Sequence, residues 1–187
     1  AAQVARAILD KHGLYDVSVG MIPGKLTDHY DPENGVLRLS SEGYGSDSVA
    51  ALGVAAHEAG HAIQDAQDYA PLRIRSTMVP IANIGSGASI PLFMLGLILS
   101  WEPLVKIGIF CFALAVLFYV VTLPVEFDAS KRAIQMLSEG GYISGAEEER
   151  NVRKVLSAAA LTYVAAAVTS LLSLLRLILI AKRNDRN

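Results

Sequence analysis

Two histidines four positions apart, with a glutamate directly after the first, are the residues of this chain best suited to chemistry: His57-Glu58-Ala59-Gly60-His61. On a helix, side chains four apart share one face and are offset by about 6 Å along the axis. Both imidazoles can then reach one Zn²⁺ through ring nitrogens at roughly 2.0–2.1 Å. Glu58 stands beside the first ligand rather than among the ligands, where its carboxylate can take a proton from a metal-held water. The plain alternative is two unrelated histidines on an ordinary core helix. Chance places H-E-x-x-H in about one chain in a few hundred of this size, and two of the chain's only four histidines fall here.

A catalytic zinc keeps three protein ligands and one position for water, so one ligand must come from elsewhere. The remaining histidines are His12 and His29. The carboxylates that can return to the site are Glu126 and Asp128, just beyond an apolar stretch that ends at Pro124-Val125. His29 reads either as a turn or strand-surface residue or as a donor to the oxyanion that develops on a scissile carbonyl. Asp65, one turn past His61, reads either as a solvated helix position or as the acceptor for that histidine's other ring N–H.

The elements that must position these residues follow from spacing. Ser46, Asp47 and Ser48 are N-cap candidates, and the Ala-rich body that follows predicts a helix to about Tyr69. Upstream, residues 3–12 have amphipathic spacing closed by Gly13, and Val17 to Ile22 reads as a strand before Pro23-Gly24. Runs 25–30 and 35–40 flank Asn34-Gly35, a hairpin signal.

The character changes after Arg73 and Arg75. Runs 79–101, 104–125 and 155–180 are apolar, with Lys106 at the start of the second and Arg176 near the end of the third. Each suffices for a hydrocarbon core of about 30 Å, which takes about 20 helical residues. Pro80, Pro91, Gly85, Gly87 and Gly96 predict an irregular first span. Pro124 is expected to stop the second span, with Glu126 in the first turn of a new helix that ends at Gly140-Gly141. On that helix Glu126 and Asp128 are about 200° apart, so both cannot face one metal. The reading is one integral-membrane domain over 1–187: hairpin and motif helix in 1–75, three spans, and a helix with its loop in 126–154. A two-span hairpin returns Glu126 to the side of His57.

Composition agrees with a membrane protein. The 187 residues are 52% hydrophobic and 18% charged, against about 25% charged in ordinary globular chains. A net charge of −2 without a basic stripe gives no footprint for nucleic acid. The single cysteine, Cys111, excludes an internal disulfide. Arg73, Arg75, Lys131, Arg132, Arg150, Arg153 and Lys154 lie near span ends on the motif's side, against Lys106, Lys182, Arg183 and Arg186 opposite. This bias predicts a site facing the cytoplasm.

Residues 24–32 (Gly-Lys-Leu-Thr-Asp-His-Tyr-Asp-Pro), 54–65 around the motif, 69–73 (Tyr-Ala-Pro-Leu-Arg) and 123–130 (Leu-Pro-Val-Glu-Phe-Asp-Ala-Ser) together resemble the YugP-type bacterial membrane zinc metallopeptidases, over nearly the whole chain. Members of that family carry an additional N-terminal transmembrane segment, which this chain is expected to lack. The Glu126 region is also similar to the E-x-x-x-D helix of the HtpX and Ste24 membrane peptidases, whose Glu is the third zinc ligand; here the fourth following position is Ser130. The resemblance implies a mainly α membrane protein, with a zincin-like metallopeptidase domain, a small β-hairpin or sheet and about three transmembrane helices. It also implies a bacterial cytoplasmic membrane location and His57, His61 and Glu126 as metal ligands.

The leading expectation is a membrane-embedded zinc endopeptidase with Glu58 as general base, acting on a polypeptide substrate at the lipid bilayer. An intramembrane-cleaving protease would need the motif helix itself to span, and that helix is rich in Ala and Gly with Asp47 and Asp65 at its ends. A non-catalytic scaffold with a structural zinc would need four ligands, commonly cysteines.

Overall fold

Turn chemistry builds the sheet first. The Asp31 carboxylate accepts from the backbone N–H groups of Glu33 and Asn34, both at 3.1 Å, and from the Asn34 side chain at 2.8 Å. Gly35 follows at φ +59°, a left-handed conformation that suits glycine. In this computed structural model, which describes residues 1–185, the turn joins β2 (His29–Asp31) to β3 (Val36–Ser40) as an antiparallel hairpin with Tyr30 opposite Leu37. β1 (Ser18–Ile22) pairs with β3 in parallel, giving the order β1-β3-β2. The central strand carries the buried Leu37 and Leu39.

Among the described residues there are six helices: α1 (Ala2–Lys11), α2 (Ser41–Tyr44), α3 (Val49–Ala66), α4 (Ala70–Ile98), α5 (Glu102–Glu139) and α6 (Gly145–Asn184). The protein is mainly α with a small three-stranded sheet. α4, α5 and α6 are each long and apolar enough to cross a membrane. They present Ile84, Phe110 and Leu172 outward, each more than half exposed, as lipid-facing residues are.

The chain forms two compact units. One comprises Ala1–Leu72 with Val125–Leu161, the other Arg73–Pro124 with the chain from Thr162 onward. The first has a core of Ile8 and Leu9 from α1, Leu37 and Leu39 from β3, Ala55, Ala56, Ala59 and Ile63 from α3, Ala133 and Leu137 from α5, and Val152 and Leu156 from α6. The second packs Phe93, Val105 and Leu177 together.

The helix ends differ from the sequence expectation in instructive ways. Pro124 lies inside α5 and does not stop it, so Glu126 does not open a new helix. An internal proline removes one i→i−4 bond and crowds the carbonyl four residues back. Val125, Ala129, Ala133 and Leu137 beyond it are all fully buried, and burial of that stripe outweighs the lost bond. The same holds for Pro80 and Pro91 inside α4. The apolar runs 104–125 and 155–180 are parts of longer helices, α5 and α6, whereas α4 begins before its run, at Ala70, and ends within it, at Ile98. The motif helix closes at Ala66, before Tyr69, and the chain turns through Asp68 at φ +54°. Arg186, counted in the charge bias, lies outside the described residues.

Candidate metal centre

Ser48 starts α3: its backbone is extended and its Oγ accepts from Ala51 N at 3.2 Å. That bond satisfies one of the orphan amides of the first turn and fixes the phase of the helix. Leu52, Ala55, Ala56, Ala59 and Ile63 enter the core. His57 and His61 then share the flank of α3 that meets α5, with rings 4.7 Å apart and edge-on.

Glu126, 4% exposed, comes to this flank from α5. Its Oε2 lies 3.1 Å from His57 Nε2 and its Oε1 lies 3.7 Å from His61 Nε2. All three ligand atoms fall within 4.8 Å of one another. Donor atoms about 2.1 Å from a tetrahedral zinc stand about 3.4 Å apart, so these separations suit that ion. Two imidazole nitrogens and one carboxylate oxygen are also the donor types zinc accepts. The three residues form a group able to hold the metal.

The non-converging ring nitrogens are engaged. Ser130 Oγ lies 3.2 Å from His57 Nδ1. Ser130, one turn after Glu126 on α5, is thus the residue that stands at the far side of His57. His61 Nδ1 donates to Gln64 Oε1 at 3.0 Å. Burial disfavours a charge on His61, but Glu126, Glu58 and Gln64 outweigh it and raise its proton affinity above that of an ordinary histidine. Glu58 follows His57 on α3, half-buried and outside the three-ligand group.

The other residues singled out in the sequence go elsewhere. Asp128 accepts from Gln64 Nε2 at 2.8 Å and from Arg132 Nε at 2.6 Å. Asp65 accepts the Tyr30 hydroxyl at 3.0 Å, tying β2 to α3; the residue at His61 Nδ1 is Gln64. Burial first, and then the Asp65 carboxylate, raise the Tyr30 hydroxyl above the ordinary tyrosine range. His29 is on β2, with Nδ1 2.8 Å from Thr27 O and Nε2 3.4 Å from Arg38 Nη1. Gln64 and Tyr30 carried no signal as strong as the histidines. Helix spacing alone places Gln64 one turn from His61, three positions on.

Comparison with known proteins agrees with this geometry. The chain is 50% identical over 179 residues to the Bacillus subtilis (strain 168) protein titled "Putative membrane protease YugP", covering 96% of this chain and 79% of that one. No solved structure matches. A family profile described as "Putative neutral zinc metallopeptidase" matches residues 1–182, and the chain belongs to that zinc peptidase family.

Proposed function

We propose that this protein is a membrane-embedded zinc endopeptidase that cuts membrane or membrane-proximal proteins. The observation that carries the reading is the convergence of His57, His61 and Glu126 ligand atoms within 4.8 Å. With three protein ligands a bound zinc would keep a position for water, as catalytic zinc sites do; a structural site would be closed by a fourth. When bound, zinc supplies Lewis acidity toward a water and toward the peptide carbonyl.

The chain's own residues supply the remaining steps. His57 and His61 present Nε2 because Ser130 and Gln64 occupy their Nδ1 atoms. The Glu58 carboxylate accepts the proton of the attacking water and returns it to the departing amine nitrogen. Among the described residues β2 is an edge strand that pairs with β3 alone, and its outer edge takes an extended substrate by strand addition. The Tyr30–Asp65 bond holds that strand to the helix of the two histidines. The apolar helices are α4, α5 and α6; α3 is not among them, which favours cleavage beside the bilayer over cleavage within it.

The Arg and Lys bias around the spans supports a site on the cytoplasmic side, and the likeness to a Bacillus membrane protease supports a bacterial cytoplasmic membrane. Proteomic comparison of membranes containing the wild type and Glu58→Gln tests the activity. Protein termini found only with the wild type are expected; identical sets of termini would contradict it.

A further inference from the structure

We infer that Gln64 is a positioning residue that fixes the metal-binding face of His61, and that Asp128 acts on the metal through Gln64. The inference rests on the reading of His57, His61 and Glu126 as zinc ligands. Gln64 is completely buried. A glutamine amide has two N–H donors at one end and an acceptor oxygen at the other. Both donors here have acceptors, Val125 O at 3.0 Å and Asp128 Oδ2 at 2.8 Å. The reversed amide would set its oxygen against a carbonyl and a carboxylate and leave at least one N–H donor unmet in the core, a costly arrangement. Oε1 is therefore committed to His61 Nδ1, 3.0 Å away. An acceptor at Nδ1 keeps the proton there and leaves the Nε2 lone pair for the metal.

The same amide fixes the third ligand. Val125 and Asp128 flank Glu126 on α5, so the two donated bonds dock that turn onto α3. The contact is also neutral. Glu58 and Glu126 already bring two carboxylates to the site, and an amide holds His61 without adding a third. Asp128 has its charge matched by Arg132, whose Nη1 continues to Gln67 Oε1 at 2.6 Å.

The test uses the whole chain in detergent, with zinc affinity measured by chelator competition, the visible spectrum of the Co²⁺-substituted protein, and melting of the metal-free form. Gln64→Met keeps an unbranched side chain of similar length and removes the acceptor. It is expected to bind zinc 10–100-fold more weakly, the range for partners that orient a ligand, and to shift the Co²⁺ bands. Asp128→Ala should lose a smaller factor, and the double variant should bind no more weakly than Gln64→Met alone. Wild-type affinity in Gln64→Met, or losses that multiply in the double variant, would overturn the inference. If Gln64→Met does not fold, a folded Asp128→Ala with wild-type affinity and an unshifted Co²⁺ spectrum overturns it instead. His61→Ala separates the two claims. If it holds zinc like the wild type, the ligand assignment has failed; if it loses zinc while Gln64→Met does not, only the role of Gln64 has.

Discussion

Gly60 on α3 and Ala129 on α5 touch through their backbones: a Cβ built on Gly60 would stand 3.0 Å from the Ala129 carbonyl oxygen and 3.4 Å from its Cα. His57 and His61 bracket Gly60, and Glu126 lies one turn before Ala129. The glycine of H-E-A-G-H is therefore what lets the helix bearing the acid come close enough to complete the ligand group. Ala129 is fully buried, so its backbone cannot yield without moving α5.

Substituting Gly60 should accordingly damage the metal site despite improving helix propensity. Alanine in place of glycine favours a helix by about 1 kcal/mol, and Gly60→Ala has that gain set against the Ala129 carbonyl. Gly60→Val adds two methyl groups to the same contact and should weaken zinc binding at least about tenfold, the lower end of what disturbing ligand orientation costs. Chelator competition on both variants checks this: affinity should fall in the order glycine, alanine, valine.

Much of the site was legible because its signals are local. The spacing of His57 and His61, the cap at Ser48 and the Asn34-Gly35 turn each act within a few residues, and the apolar runs announce α4, α5 and α6. Sequence favours Glu126 over its competitor Asp128 as the carboxylate at the histidines, but their arrangement depends on packing between α3 and α5. What escaped the sequence is tertiary. Continuity of α5 through Pro124 is decided by the buried stripe Val125, Ala129, Ala133 and Leu137. The partner of His61 is decided by the two acceptors that α5 offers Gln64. Asp65 had the right spacing for His61 but is claimed by Tyr30 from the sheet.

Glu126 and Asp128 should separate cleanly under metal competition. Glu126→Ala removes a carboxylate from the proposed ligand group and should weaken zinc binding far beyond 100-fold, whereas Asp128→Ala, acting only through Gln64, should lose less than Gln64→Met does. Metal loss in Asp128→Ala alone would reverse the assignment.

Tyr30→Phe should loosen the tie between β2 and α3. Removing the hydrogen bond to Asp65 costs about 0.5–1.5 kcal/mol at neutral pH. The pH dependence has a definite sign. The folded-state pKa of Tyr30 is raised above the ordinary 10.0, so its contribution is fully present below pH 10.0 and is lost as pH rises through the folded value. Melting curves from neutral to alkaline pH should show wild type and Tyr30→Phe converging above pH 10.0.

Ser144, exposed in the turn before α6, reports the orientation in the membrane. With Cys111 replaced, Ser144→Cys should be labelled by an impermeant thiol reagent only after cells are opened. Labelling of intact cells would place the site outside.

The central claim is that one chain separates metal binding from proton transfer: His57, His61 and Glu126 hold zinc, and Glu58 moves the proton. The most direct measurement is zinc content and peptidase turnover on the same purified samples of wild type, Glu58→Gln and Glu126→Ala. Glu58→Gln should carry zinc like the wild type and turn over at least about 10²–10⁴-fold more slowly, and Glu126→Ala should lose both metal and turnover. Wild-type turnover in zinc-loaded Glu58→Gln, or full zinc content in Glu126→Ala, would contradict the account.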